Sequence, residues 1–563
     1  MKTYQDGGAA ILDAFRALGI DHIFSSPGSE WSPVWEALAR QRTERNSGPD
    51  FIESWHETLA VTMASGYTMV TGRPQAVLLH AGVGLLQGAM GIQAALQSEV
   101  PMLVMSGESV SLGEDPDLPI EPQWYGGLSP GGAERLVERI VKWGSEVASP
   151  AILHESVIRA GEMAQRVPKG PVYLDVPLEH MLQGWTPPER PRQVPPAPRL
   201  EASAEAVAEV AALLAGARNP VIVVEAAGRD PAAFSALVDL AELMALPVIG
   251  GRSTTYANFP VDHPLWLGIG SYQHLAEADL VLLVSGRAPW YPAHRRPTAG
   301  RIVLVHENPI KAHMVYQNLH AETYLEGDVA ASLRRLAGAL RGTADAAAVA
   351  ARRRRWAAEH DSFTAGLRAT EAEAAAAPRI DAVALAAALA ATLPPDTIYV
   401  DETITHHATL RQHLGLVRAQ SFFRVSGGLG QGMGVALGVK LAAPERPVVL
   451  LVGDGGFLYN PIVQALGAAQ RHGLPILAVV LNNGAYEAMR RGHIQHYPDG
   501  VARSADLWHG VDIAGPNYEE LGAPFGCRGR RVERPDDLPA ALREALGAVR
   551  GGRMTILNVI LGS

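Results

Sequence analysis

A chain of 563 residues with a net charge of -10 is too long for one hydrophobic core and too acidic to suit a nucleic-acid partner, which calls for a basic surface. Hydrophobic residues at 47% and charged residues at 19% describe a globular chain rather than a disordered one. Cys527 is the one cysteine, so no intrachain disulfide is available; with no signal-peptide pattern and no run of about 18 apolar residues, a cytoplasmic protein without a membrane span is expected.

Taken in chain order, His22-Ile23-Phe24 reads as a strand leading into Pro27-Gly28-Ser29. Trp55-His56-Glu57 opens a helical stretch in which Ala60, Ala64 and Gly66 permit close packing. Apolar runs at 76–79 and 102–105 read as buried strands, and the first leads into His80-Ala81-Gly82. Prolines 187, 188, 191, 195, 196 and 198 favour an extended connector over residues 185–200. Strand-like runs return at 221–224, 280–284 and 302–305, and the segment Ala288 to His294 follows the second of them. Residues 341–378 are alanine-rich and charged, with arginine from 352 to 355; they read as a second connector presenting a solvated helix face. The pattern resumes at 397–400, 448–452 and 476–481. Short apolar runs alternating with helices imply parallel sheets covered on both faces. The expected architecture is α/β: three consecutive doubly wound parallel-sheet domains over residues 1–184, 201–340 and 379–563.

Residues Val448 to Asn483 form one βαβ unit. A strand ends at Val452, Gly453-Asp454-Gly455-Gly456 follows, and a helix is expected from about Phe457 to Arg471 before Gly473 and Pro475 stop it. The second strand runs into Asn482-Asn483. Parallel neighbours put Asp454 and Asn483 at adjacent strand carboxyl ends, where such sheets bind ligands. Two hard oxygen ligands there suit Mg2+, while the glycines and the helix N-terminus suit a phosphate. Gly-Asp-Gly by itself is mostly a turn; the 26 residues between Gly455 and Asn482 make the pattern specific.

That spacing resembles the signature of the thiamine-diphosphate-dependent enzymes, the group of pyruvate oxidases, acetolactate synthases and 2-keto acid decarboxylases, and the likeness extends over the whole chain. It implies a pyrimidine-binding, a middle and a diphosphate-binding domain, with thiamine diphosphate and Mg2+ as cofactors. The metal ligands it implies are Asp454, Asn483 and the main-chain carbonyl of Ala485, with Gly453, Gly455 and Gly456 beside the diphosphate. Asp401 to Thr405 resembles a second diphosphate-contacting turn, which makes Thr405 a cofactor contact. Ser426 to Gly430 resembles the segment that shapes the cofactor, with the Gly427 carbonyl accepting from the aminopyrimidine and Leu429 wedged between the two rings. His56-Glu57, followed by Ser65-Gly66-Tyr67 and Gly72-Arg73-Pro74, resembles the first domain of the family. Glu57 then exchanges a proton with the aminopyrimidine, although the residue by itself reads equally as a helix N-terminal glutamate. The family places the pyrimidine domain of one subunit against the diphosphate domain of another. A homo-oligomer, dimer or tetramer, with its active site at a subunit interface is therefore implied.

Ser29, His80 and His294 resemble the serine and two histidines of benzoylformate decarboxylases. The likeness implies that Ser29 meets the substrate carboxylate and that the histidines transfer protons, a role open to a side chain that titrates near neutrality. Ser29 also reads as a helix cap, and His294, beside Arg295, Arg296 and Pro297, as part of an exposed turn. Trp124, Tyr125, Trp290 and Tyr486 are read as an apolar wall for a substrate side chain, and Tyr486, next to the metal-binding segment, also as a cofactor contact. His406 and His407 receive no role. His56 favours the acetolactate synthases instead, whereas no Gly-x-Gly-x-x-Gly turn follows 221–224, so a dinucleotide in the middle domain has little support. The expectation is a non-oxidative decarboxylase of a small 2-keto acid, aromatic and benzoylformate-like, with carboligation as a second outcome. An acetolactate-synthase-like carboligase is the alternative enzyme. A catalytically silent, cofactor-binding regulatory subunit is the alternative of another class, and the retention of Glu57 and Asp454 argues against it.

Overall fold

Every strand expected from a short apolar run forms, and each of the three sheets pairs in parallel throughout. The structure is a computed structural model that describes residues 5–108, 120, 123–129, 131–343 and 345–562. The first sheet comprises β1 (His22–Ser26), β2 (Asp50–Glu53), β3 (Gln75–Leu79), β4 (Met102–Glu108), β5 (Trp143–Glu146) and β6 (Pro171–Pro177), in the order β2-β1-β3-β4-β6-β5. All residues of β3, β4 and β6 are buried, as two covered faces require.

The second sheet comprises β7 (Pro220–Val224), β8 (Val248–Gly250), β9 (Trp266–Ile269), β10 (Leu280–Val284), β11 (Arg301–His306) and β12 (Thr323–Glu326). Its order, β12-β11-β10-β7-β8-β9, is that of dinucleotide-binding sheets, with the winding reversing between β7 and β10. The third sheet comprises β13 (Ile398–Glu402), β14 (Phe422–Arg424), β15 (Val448–Gly453), β16 (Leu477–Asn482), β17 (Arg528–Val532) and β18 (Thr555–Ile560). Its order, β14-β13-β15-β16-β18-β17, repeats that of the first sheet.

The chain forms two compact units. The first takes the residues up to Pro198 together with Val425–Glu445 and Phe457–Ile476; the second takes Arg199–Arg424, Arg446–Gly456 and the chain from Leu477. Within the first unit, helix Gly432–Ala442 lies against helix Glu57–Thr71. Backbone meets backbone there, since a Cβ on Gly66 would overlap the Val435 carbonyl and one on Gly438 the Met63 carbonyl. The small residues of 60–66 thus serve the close packing expected of them.

The stretch 341–378 contains a 31-residue helix, Ala346–Ala376, on which Arg353, Arg354 and Arg355 are exposed and Arg352 is half-buried. Arg352 donates to the Met244 carbonyl at 3.2 and 3.0 Å, Arg353 donates to the Glu242 carbonyl, and Arg355 pairs with Glu277 at 3.1 Å. The last carbonyls of helix Pro231–Met244 have no partner within their own helix, and the arginines satisfy them. The single helix expected from Phe457 to Arg471 is two, Asp454–Tyr459 and Ile462–His472. Pro461 lacks an N–H and breaks the ladder between them. Residues 185–200 contain no helix or strand, in keeping with their prolines.

Candidate active site

At the carboxyl end of the third sheet, β15 passes through Gly453 and a helix starts at Asp454 without an intervening turn. Gly455 and Gly456 thus lie in the first helical turn. Asp454 is 3% exposed. Its Oδ1 accepts from the Gly455 N–H at 2.9 Å and its Oδ2 from the Gly484 N–H at 2.7 Å. Burial pushes its carboxyl above the ordinary range, and those backbone N–H groups oppose the shift. Asn483 Oδ1 accepts from the Ala485 N–H at 3.1 Å, and the Ala485 carbonyl accepts from the Glu487 N–H at 2.9 Å, which leaves a second lone pair. The Tyr486 ring lies so close to Gly455 that a Cβ there would overlap it, whereas a Cβ on Gly453 would meet nothing within 4 Å. The βαβ unit thus brings Asp454, Asn483, Ala485 and Tyr486 to one strand end.

On the neighbouring strand, Asp401 is buried and accepts from the Thr403 N–H at 2.9 Å, the Thr403 hydroxyl at 2.6 Å and Arg424 at 3.2 Å. This fixes the turn that carries exposed Ile404 and half-buried Thr405. His407 donates from Nδ1 to the Ile404 carbonyl at 2.8 Å, and burial lowers the pKa of both His406 and His407.

In the first unit, Ser29 follows β1 and opens the single 3-10 turn Ser29–Trp31. Ser29 is exposed and caps no helix, because Gly28 occupies the cap position of that turn and Trp31 that of helix Ser32–Thr43. Trp31 donates from its indole N–H to the Leu79 carbonyl at 2.7 Å, which ties the turn to β3. Glu30, 0% exposed, receives His80 Nδ1–H at 2.9 and 3.0 Å and the Ala81 N–H at 3.1 Å. The Glu30 hydrogen bond holds the His80 pKa above its ordinary value against partial burial, and the charges of Glu30 and Glu57 add to the effect. Glu57, half-buried, is the first residue of its helix. His56 caps that helix, its Nδ1 accepting from the Thr58 N–H at 3.2 Å, so the residue that resembled acetolactate synthases has a structural use here. His80 and Glu57 converge on Gly84, where a Cβ would stand 2.7 Å from His80 Cβ and 3.2 Å from Glu57 Oε1.

Gly427 has φ +94° and is pressed against Ala94, whose Cα would lie 2.7 Å from an added Cβ. Ser426 and Ser98 share a hydroxyl hydrogen bond at 3.0 Å. The glycine segment is therefore a fixed turn, with Leu429 half-buried at its end.

His294 is exposed on the 3-10 turn Ala293–Arg295. Trp290 does not form a substrate wall: it is 3% exposed in the middle-domain core and donates to the Leu319 carbonyl at 3.1 Å. Trp124 and Tyr125 are exposed in a turn of the first unit. Glu225, directly after β7, is buried and accepts from the N–H groups of Ser253 at 3.0 Å, Arg287 at 2.6 Å and Ala288 at 3.0 Å. Sequence reasoning missed Glu30 and Glu225. The available signal was the same for both, an acid directly after or near the end of an apolar strand.

Three models of thiamine pyrophosphate enzymes match the chain in order: the N-terminal TPP binding domain over residues 5–117, the central domain over 207–336 and the C-terminal TPP binding domain over 403–559. The chain belongs to the thiamine pyrophosphate enzyme family. It is 27% identical to the benzoylformate decarboxylase of Pseudomonas aeruginosa, over 98% of each chain. It is 30% identical to the "probable 2-ketoarginine decarboxylase" of the same species, over 96% of this chain and 92% of that one. The solved thiamine diphosphate-dependent 4-hydroxybenzoylformate decarboxylase of Rhodococcus jostii RHA1 superposes with a TM-score of 0.79 at 25% identity, covering 99% of both chains. The protein is accordingly a thiamine-diphosphate enzyme of the lyase and carboligase type. Among the described residues no helix is long and apolar enough to cross a membrane.

Proposed function

We propose that the protein is a thiamine-diphosphate- and Mg2+-dependent, non-oxidative decarboxylase of an aromatic 2-keto acid of the benzoylformate class, with carboligation to an aldehyde as its second outcome. The observation that carries this reading is the Glu30–His80 pair beside Glu57, at the end of two adjacent strands. The pair favours the cationic form of the imidazole, which suits a keto acid's carboxylate or a proton donation. The likeness to two benzoylformate-type decarboxylases supports the same substrate class.

Bound thiamine diphosphate supplies a carbon nucleophile for the keto carbonyl and an electron sink for the carbon–carbon bond that breaks. The residues present fit the metal: Asp454 is a buried carboxylate met only by backbone N–H donors among the described residues, and a cation there offsets its burial. Asp454, Asn483 and the Ala485 carbonyl would hold Mg2+, a hard cation that takes oxygen ligands. Gly453, Gly455 and Gly456 leave room for the diphosphate, and Thr405 and Tyr486 flank it. Glu57 would hold a proton toward the aminopyrimidine, the Gly427 carbonyl would accept a hydrogen bond from it, and Leu429 would pack against the cofactor. Ser29 binds the substrate carboxylate, and His80, kept protonated by Glu30, moves the proton that replaces carbon dioxide. His294 is the second proton-transfer group. Glu57 of one subunit serves the Asp454 site of another, so the active form is a homo-oligomer.

The test is a substrate panel with Mg2+ and thiamine diphosphate: benzoylformate, pyruvate and 2-ketoarginine, each with and without an added aldehyde. Benzaldehyde from benzoylformate is the expected product. Acetolactate from pyruvate as the main product would replace this reading with a synthase, and cofactor binding without carbon dioxide from any acid would replace it with a silent subunit.

A further inference from the structure

We propose that the carboxyl ends of β4, β5 and β6 form a second divalent-cation site, held by Glu134, Glu146 and Asp175 and suited to Ca2+. One oxygen from each of these side chains lies within 4.8 Å of the others. Separations of that size fit within the roughly 4.6–5.2 Å that opposed oxygens span around Ca2+, an ion that takes six to eight oxygen ligands in flexible geometry. Sheet register builds the cluster. Asp175 on β6 is paired with Glu146 on β5 and with Ser106 on β4, so the side chains gather where an α/β sheet binds ligands.

A second observation stands apart from the cluster's geometry. Asp175 is 1% exposed, and its Oδ1 is buried with no hydrogen-bond partner among the described residues. Glu108, at the end of β4, is 0% exposed, and its Oε1 is likewise buried and unpartnered. Its other oxygen accepts from the Ser129 hydroxyl. The charges acting on Asp175 are those of Glu108, Glu146, Glu134 and Glu179, all of its own sign. Nature ordinarily pairs buried carboxylates with cations. Arg135 stands 3.7 Å from Glu134, but its own side chain is exposed to water. Residues 81–134 contain seven acidic side chains and no lysine, arginine or histidine. A divalent ion supplies the missing positive charge, with exposed Glu146 as the entry side and water completing the shell.

The experiment uses holoenzyme saturated with thiamine diphosphate and Mg2+, titrated with Ca2+ alone by calorimetry, with bound metal counted afterwards. One Ca2+ per chain beyond the Mg2+ is expected, together with a rise in melting temperature. Glu146→Gln, at an exposed position, should weaken Ca2+ binding at least tenfold, and Asp175→Asn should abolish it. Asp454→Ala should leave it intact, which separates this site from the cofactor's. No Ca2+ uptake by the holoenzyme, or equal uptake by Glu146→Gln, overturns the proposal; a stabilising Asp175→Asn with no Ca2+ response would show that the cluster holds protons only.

Discussion

The strand ends after β7 and after β15 carry one device put to opposite uses. At both, an acid directly follows or closes a central parallel strand and is received by backbone N–H groups. Glu225 is long enough to reach the loops after β8 and β10, and three N–H groups close around its carboxylate. The place where a dinucleotide's phosphates would sit in a sheet of this order is filled by the protein's own anion. Asp454 is one methylene shorter and is also met by backbone N–H groups, from Gly455 beside it and from Gly484 after β16, but the space over Gly453 is open. A shared fold therefore does not decide whether a strand end has space for a ligand; the room left beside the carboxylate does.

The contrast is sharpened most at the strand ends of the first sheet, whose side chains the proposed function assigns to proton transfer rather than to holding cofactor. His80→Ala and Glu57→Gln should each lower kcat roughly 10²–10⁴-fold, the usual share of a proton-transfer group, with thiamine diphosphate and Mg2+ still bound by calorimetry. Normal turnover in either variant removes that residue from the reaction. Next in size, Asp454→Ala should weaken Mg2+-dependent cofactor binding by roughly 10–100-fold or more, the cost of disturbing a metal's coordination. Unchanged affinity would erase the difference between β15 and β7. Glu225→Ala should do the reverse: about 2–5 kcal/mol less stability in denaturant unfolding, from backbone N–H groups left without an acceptor, and no change in cofactor affinity. In the parent protein, added ADP, NAD or a flavin should leave the melting temperature where it was; a clear rise would show that β7 ends in a working nucleotide site.

The smallest effect is a change of pH profile. Because the folded-state pKa of His80 lies above the ordinary value of 6.5, the Glu30–His80 pair contributes its full stability below pH 6.5 and loses it as pH rises through the folded pKa. If cationic His80 is the working form, the alkaline limb of kcat falls over that same window. Glu30→Gln should move the limb to lower pH. An unmoved limb would assign it to another group.

The strands were legible because buried parallel strands are short apolar runs, and those runs lie where β3, β10 and β15 form. The placement of Asp454 and Asn483 was legible because spacing alone puts them on neighbouring strand ends. Glu30 was not, because an ordinary Ser-Glu-Trp sequence does not reveal that the Trp31 indole will tie the turn to β3 and swing the carboxylate under His80. The carbonyl contacts of Arg352 and Arg353 were hidden for a similar reason: the run reads as an exposed helix face, and the helix whose carbonyls it also meets ends about a hundred residues earlier.

The interleaving of the chain through the first unit has a consequence for synthesis. Residues 58–68 are buried, yet helix Gly432–Ala442, which covers part of their surface, comes late in the sequence. At about 5–20 residues per second, a ribosome takes roughly 20–70 s to travel from one helix to the other. For that interval the nascent first sheet carries an uncovered face of small residues. A fragment cut at the proline-rich stretch should accordingly need a holdase to stay in solution, and adding the segment 425–476 in trans should relieve it of that need.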